Sequence, residues 1–158
     1  MNYILIMARV IRGLSLSVWL GAIVMTFITA HYVFGLEPDR NKAGDIMGAI
    51  LHTGGWLKLA LAFLALSAQL VLRKNPAPGA RSFKPGFVAL CFAFALALFV
   101  TLYLEPKMVG LRAQIGTFNE ANKELPERVL FGKLHGASMG LALLETILVA
   151  IALVCSLI

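Results

Sequence analysis

The sequence predicts an all-α protein, a four-helix transmembrane bundle. Three observations predict it. Hydrophobic residues make up 59% of the 158-residue chain and charged residues 14%, against roughly half and a quarter in an ordinary soluble domain. The apolar residues fall into four long runs, Leu14 to Phe34, Ile46 to Leu72, Gly86 to Leu104 and Val129 to Ile158. Each approaches or exceeds the ~20 residues a helix needs to cross the hydrocarbon core. Proline, glycine and charge gather between the runs, where helices must end. Helices are therefore expected at about 4–35, 45–73, 86–110 and 127–158, in one integral membrane domain spanning 1–158.

The first run is read as a retained helix. Its apolar stretch after Arg12 exceeds the ~7–15 residues of a signal peptide, and Thr29, Ala30 and His31 make a poor cleavage site. "GLEPDRNKAG" (35–44) separates it from the second run with Pro38 and Gly44. "KNPAPGARSFKPG" (74–86) places three prolines before the third run. Beyond that run, Pro106 starts a short extension, and residues 107–125 mix charges with Leu111, Ile115 and Phe118, the pattern of an amphipathic segment capping the outer end. Pro126 suits the first turn of the fourth helix, and Glu127 suits its N-terminal dipole. Short matches link the two halves: "LEP" at 36–38 and 104–106, "LHTGG" at 51–55 and "LHGAS" at 134–138. They raise a duplicated helical hairpin as an alternative to coincidence.

The formal charge of +6 is read as topology rather than as nucleic-acid binding. Arg73, Lys74, Arg81 and Lys84 lie in one loop without an acid, and Arg9 and Arg12 fall on the same side. The opposite loops balance bases with carboxylates. The positive-inside rule then puts both termini and the 73–86 loop in the cytoplasm of a multi-pass bacterial inner-membrane protein. The lipid bilayer is the expected partner, with a membrane-protein partner or a homo-oligomer left open. Cys91 and Cys155, in apolar contexts, read as small core residues.

Intramembrane ionisable groups mark function more often than chance allows. His52 and His135 each lie about seven residues into their helices, roughly 10 Å below the outer surface. His31 and Glu105 lie at the same face. Two cofactor readings follow. His52 and His135 together match the axial ligands of a haem b, with Gly54, Gly55 and Gly136 leaving room for the porphyrin. Alternatively His31, His52, Glu105, His135 and Met139 surround one copper or zinc ion. Against both stands a structural reading, in which interfacial histidines only hydrogen-bond and Gly132, Gly136 and Gly140 form a helix-packing stripe. Deeper, Lys58 and Glu145 are expected to pair and fix helix 2 to helix 4, unless Glu145 is neutral and Lys58 snorkels. Trp19 and Trp56 are assigned no chemistry. The chain has no Gly-rich phosphate loop, no CxxC, no HExxH and no serine-nucleophile elbow.

"VWLGAIV" (18–24), "LYLEPKMVGLRAQIG" (102–116) and "FGKLHGASM" (131–139) together resemble the transmembrane protein 205-like family, whose bacterial members carry a domain of unknown function. More distantly, the layout is similar to the copper-resistance D-type membrane proteins. The resemblance implies a four-helix membrane protein and a connection to metal handling. It carries Glu105 and His135 over as family positions, but not His31 or His52. Ala142 stands where the family often has asparagine.

Three functions remain open. The first is a non-catalytic protein binding a transition-metal ion or haem in an outward-facing polar pocket. The second is an accessory or assembly subunit of a larger membrane complex, without a cofactor. The third is a haem-dependent, quinone-linked oxidoreductase. The topology is testable by itself. With Cys91 and Cys155 replaced, Ser82→Cys should resist a membrane-impermeant thiol reagent in intact cells, and Asn119→Cys should react. The reverse pattern would invert the topology.

Overall fold

In a computed structural model, residues 3–75, 84–118 and 124–157 are described. Four helices are long and apolar enough to cross a membrane, as expected of a multi-pass membrane protein. They are α1 (Tyr3–Leu36), α2 (Arg40–Lys74), a third rod and a last helix. The third rod is α3 (Lys84–Phe99), a π-helical turn (Val100–Leu104) and α4 (Glu105–Ile115) in direct succession; the last helix is α5 (Pro126–Leu157).

Two boundaries differ from expectation. α2 begins at Arg40 rather than near 45, because Asp39 caps it: its carboxylate accepts from the Asn41 amide at 2.9 Å. Gly44 therefore lies inside the helix, where it serves close approach. A methyl group there would sit 2.8 Å from the Arg112 guanidinium. The third rod reaches Ile115 rather than about 110, with Pro106 inside it as the start of the extension. Pro106, which has no N–H to give to the preceding turn, lies in the turn directly after the π turn. The two "LEP" triplets thus play unlike parts, one leaving a helix and one inside a continuous rod. Of the expected outer cap, residues 119–123 lie outside the described residues.

α1 packs on α2 and α5, and α3 packs on α2 and α5, so the helices form a square with α1–α3 and α2–α5 as diagonals. Small residues line the centre: Ala62 and Ala65 on α2, Ala89, Ala93 and Ala97 on α3, and Ala152 on α5, against Leu16, Trp19 and Ile23 of α1. Without a hydrophobic drive between helices in lipid, such close backbone packing is what holds a bundle. Large apolar side chains such as Phe63, Phe92, Leu143 and Ile147 point outward instead.

Arg12 ties the ends of three helices at the side where α1 begins and α5 finishes. Its guanidinium donates to Gln69 Oε1 at 2.7 Å and to the Ser156 carbonyl at 2.8 Å. At the far side, Arg112 of α4 donates to the Asn41 carbonyl at 2.6 Å and pairs with Asp45 at 2.8 Å. Asn41 in turn accepts from the Phe118 amide and donates to the Thr117 hydroxyl.

Glu145 is fully buried near mid-span. Its Oε1 accepts from the Trp19 indole N–H at 2.8 Å, and its Oε2 accepts from Lys58 Nζ at 3.2 Å. One carboxylate thereby joins α1, α2 and α5, reaching across a diagonal of the square. Lys58 keeps 17% of its side chain exposed. Breaking such a buried pair from one side typically costs ~3–5 kcal/mol, since the partner charge is left uncompensated. Glu145→Gln should lower thermal stability in detergent by that order, and Lys58→Met with Glu145→Leu should recover much of it. Additive losses in the double variant would show that the pair contributes no coupling.

Candidate functional site

Above the Glu145 centre, toward the far side, α2 presents His52, Gly55 and Lys58. Their spacing of three residues puts them on neighbouring positions of one helix face. Opposite them stands the π turn. Here Glu105 donates its backbone N–H to the Val100 carbonyl, five residues back. π turns inside longer helices recur at functional sites. This one sets both Thr101 and Glu105 against Gly55. A methyl group at Gly55 would lie 3.0 Å from the Thr101 hydroxyl, 3.0 Å from its methyl and 3.3 Å from Glu105 Oε2.

Thr101 is 5% exposed, and its buried hydroxyl has no hydrogen-bond partner among the described residues. A helical threonine ordinarily bonds the carbonyl four residues back. Thr26 does so to Ala22 and Thr146 to Ala142 in this same chain. Leaving a buried hydroxyl unsatisfied costs on the order of 1–3 kcal/mol, so the notch at Gly55 carries a polar group that the fold itself does not use.

Glu105 Oε1 lies 3.2 Å from His52 Nδ1, with the carboxylate side chain 14% exposed and the imidazole 67% exposed. Trp56 meets the imidazole edge to face. A carboxylate on Nδ1 fixes the imidazole tautomer and leaves Nε2 as the lone-pair nitrogen. The arrangement can hold a cation at Nε2, with the carboxylate behind it.

The other candidates are placed apart from this pair. His135 is exposed, stacked parallel on Phe131, with Phe118 edge-on to that phenylalanine. Its contacts include neither His52 nor Glu105. His31 is exposed and packs edge to face on Tyr32. Met139 is exposed on α5. Among the described residues, no three or more His, Cys, Asp or Glu side chains are grouped to hold a metal ion, so His31, His52, Glu105 and His135 do not converge as one ligand set. The space expected beside the histidines is also uneven. Gly54 and Gly136 face open space, but the room at Gly55 is taken by Thr101 and Glu105. Gly132, Gly136 and Gly140 pack against nothing among the described residues.

Trp19 is the functional neighbour that sequence reasoning passed over. Trp19, Lys58 and Glu145 each lie about five turns from the far end of their helices, and this shared depth was the available signal. Thr101 gave no such signal, because a threonine inside an apolar run ordinarily bonds its own helix backbone.

Residues 14–117 match the family described as Domain of unknown function (DUF4149). No curated protein and no solved structure matches the chain. The matched stretch contains Trp19, His52, Lys58, Thr101 and Glu105, and ends before His135 and Glu145.

The notch makes two adjacent glycines unequal. Gly55→Ala forces a methyl between Thr101 and Glu105, and rotating Thr101 gives no relief because its hydroxyl and methyl are equally close. It should destabilise the protein by ~1–3 kcal/mol, the usual overpacking cost. Gly54→Ala, in open space, should be neutral or stabilise by up to ~1 kcal/mol. Thermal unfolding in detergent would read both, and equal effects would argue against the close approach.

Proposed function

The chain belongs to the family described as domain of unknown function (DUF4149), and we propose that it is a membrane protein that takes up a transition-metal ion, as exchangeable cargo, at His52 on the outer face of a bacterial inner membrane. The observation that supports this reading is the His52–Glu105 contact at 3.2 Å, with the imidazole largely exposed. Metal-bound histidines almost always donate their second ring nitrogen to such a partner. Imidazole suits zinc and copper alike. The distant likeness to copper-resistance D-type proteins points the same way. So does the positive-inside rule, which sets the balanced far side outward.

Cargo fits better than a resident ion. A closed structural site uses four protein ligands, whereas His52 supplies one donor, Nε2, with Glu105 orienting the ring from behind, and the ion would keep water or ligands of its own. Haem fits less well, because the room at Gly55 is taken by Thr101 and Glu105, and His135 is not brought together with His52 among the described residues. The residues here bind and orient, and none is arranged as a nucleophile with a base.

A second reading is favoured by the open Gly132, Gly136 and Gly140 face of α5. It makes the protein an accessory subunit docked through that helix, and it expects no ion binding. The two separate by metal content. After dialysis against zinc, and against copper under reducing conditions, purified wild-type protein should retain ion in stoichiometric amount. His52→Ala should abolish retention, and Glu105→Gln should weaken it ~10–100-fold, the usual effect of a lost orienting partner. His135→Ala should leave it unchanged. Full retention by His52→Ala would overturn the proposal.

A further inference from the structure

We infer that the end of the bundle where α1 begins carries a surface that binds the headgroups of anionic phospholipids, with Arg9 on α1 and Arg73 on α2 each contributing to it. The argument starts from register. α1 and α2 are packed antiparallel, and Arg12 is bonded to Gln69 across them at 2.7 Å. Arg9 lies one turn beyond Arg12, and Arg73 one turn beyond Gln69, so both arginines come to the same level.

Charge is uncompensated there. Arg12 satisfies two of its nitrogens with neutral acceptors, the Gln69 amide oxygen and the Ser156 carbonyl, and its buried Nε has no partner. Arg9, Arg73 and Lys74 are exposed. No carboxylate pairs with any of these four among the described residues. Among the described residues, the acids other than Glu145 are Glu37, Asp39, Asp45, Glu105, Glu124 and Glu127, which lie toward the other end. Arg73 is also held in place: its guanidinium lies 4.1 Å over the Phe87 ring of α3. A stacked guanidinium keeps its N–H edge free and loses little freedom when it meets a phosphate.

Depth and surroundings identify the anion as a lipid. Arg9 lies ~40 Å along α1 from the far end of that helix, beyond a hydrocarbon core of ~30 Å and so at headgroup level. Toward the core, Leu14 and Val18 on α1 and Phe63 and Leu64 on α2 are exposed. They offer apolar surface to the acyl chains below a headgroup. A free anion would have no use for them.

The test uses the full chain, delipidated in detergent, and native mass spectrometry against phosphatidylglycerol, phosphatidylcholine and inorganic phosphate in turn. Phosphatidylglycerol should bind in preference to phosphatidylcholine, and millimolar phosphate should displace it poorly. Each basic side chain near an anionic headgroup contributes about fivefold, so Arg9→Gln with Arg73→Gln should weaken phosphatidylglycerol about 25-fold. Lys107→Gln with Lys133→Gln, at the other end, should leave binding unchanged and controls for net charge. Unchanged binding in the Arg9 and Arg73 variant, or equal binding of the two lipids, would overturn the site. Displacement by inorganic phosphate at concentrations matching the lipid would overturn its assignment to lipid.

Discussion

A carboxylate without access to water must find its hydrogen bonds inside the protein, and the bundle is arranged around that requirement at Glu145. The indole of Trp19 and the ammonium of Lys58 approach its two oxygens from different helices. The alanine-lined centre brings the backbones near enough for this. In lipid, apolar side chains gain nothing by facing one another rather than acyl chains. A saturated polar contact linking three helices therefore specifies one arrangement among several that small residues alone would tolerate. That specificity, rather than net stabilisation, is what a buried ion pair can contribute.

The outer pair has the opposite character. His52 and Glu105 meet at the edge of the bundle, with the imidazole exposed and one carboxylate oxygen turned toward the Thr101 notch. The inner cluster is closed on itself, whereas the outer one has capacity to spare. The division follows the chain's geometry. The inner carboxylate sits on an unbroken helix, and the outer one follows a π turn that shifts the register of the rod before its last stretch, Glu105–Ile115.

Much of this was legible in the residues. Four apolar runs and their proline-bearing separators define the spans. Lys58 and Glu145 announce themselves as charges too deep to be left alone. What was not legible depends on register. Equal depth pointed to His52 with His135, but depth says nothing about which face a residue occupies. His135 is exposed on α5, stacked on Phe131 one turn earlier on the same helix, and makes no contact with His52 or Glu105 among the described residues. Glu105 was expected near an imidazole, and it meets the one on α2. Gly44 looked like punctuation, and is instead the bed for Arg112. The π turn has no signature in composition at all.

The position of the two charges along the chain has a consequence for biogenesis. Lys58 is synthesised in the second span, long before Glu145 in the last. During insertion, α2 enters the bilayer with an ammonium that has no carboxylate to meet. It carries this charge on a mean hydropathy of 1.7, the lowest of the four spans, whereas the third reaches 2.6. α2 is then the span most in need of a companion, and α1, which packs along it, is the helix already present to shelter it. The charge stays unpaired until the final helix arrives. The contact between Lys58 and Glu145 can therefore close only once the last helix is in place.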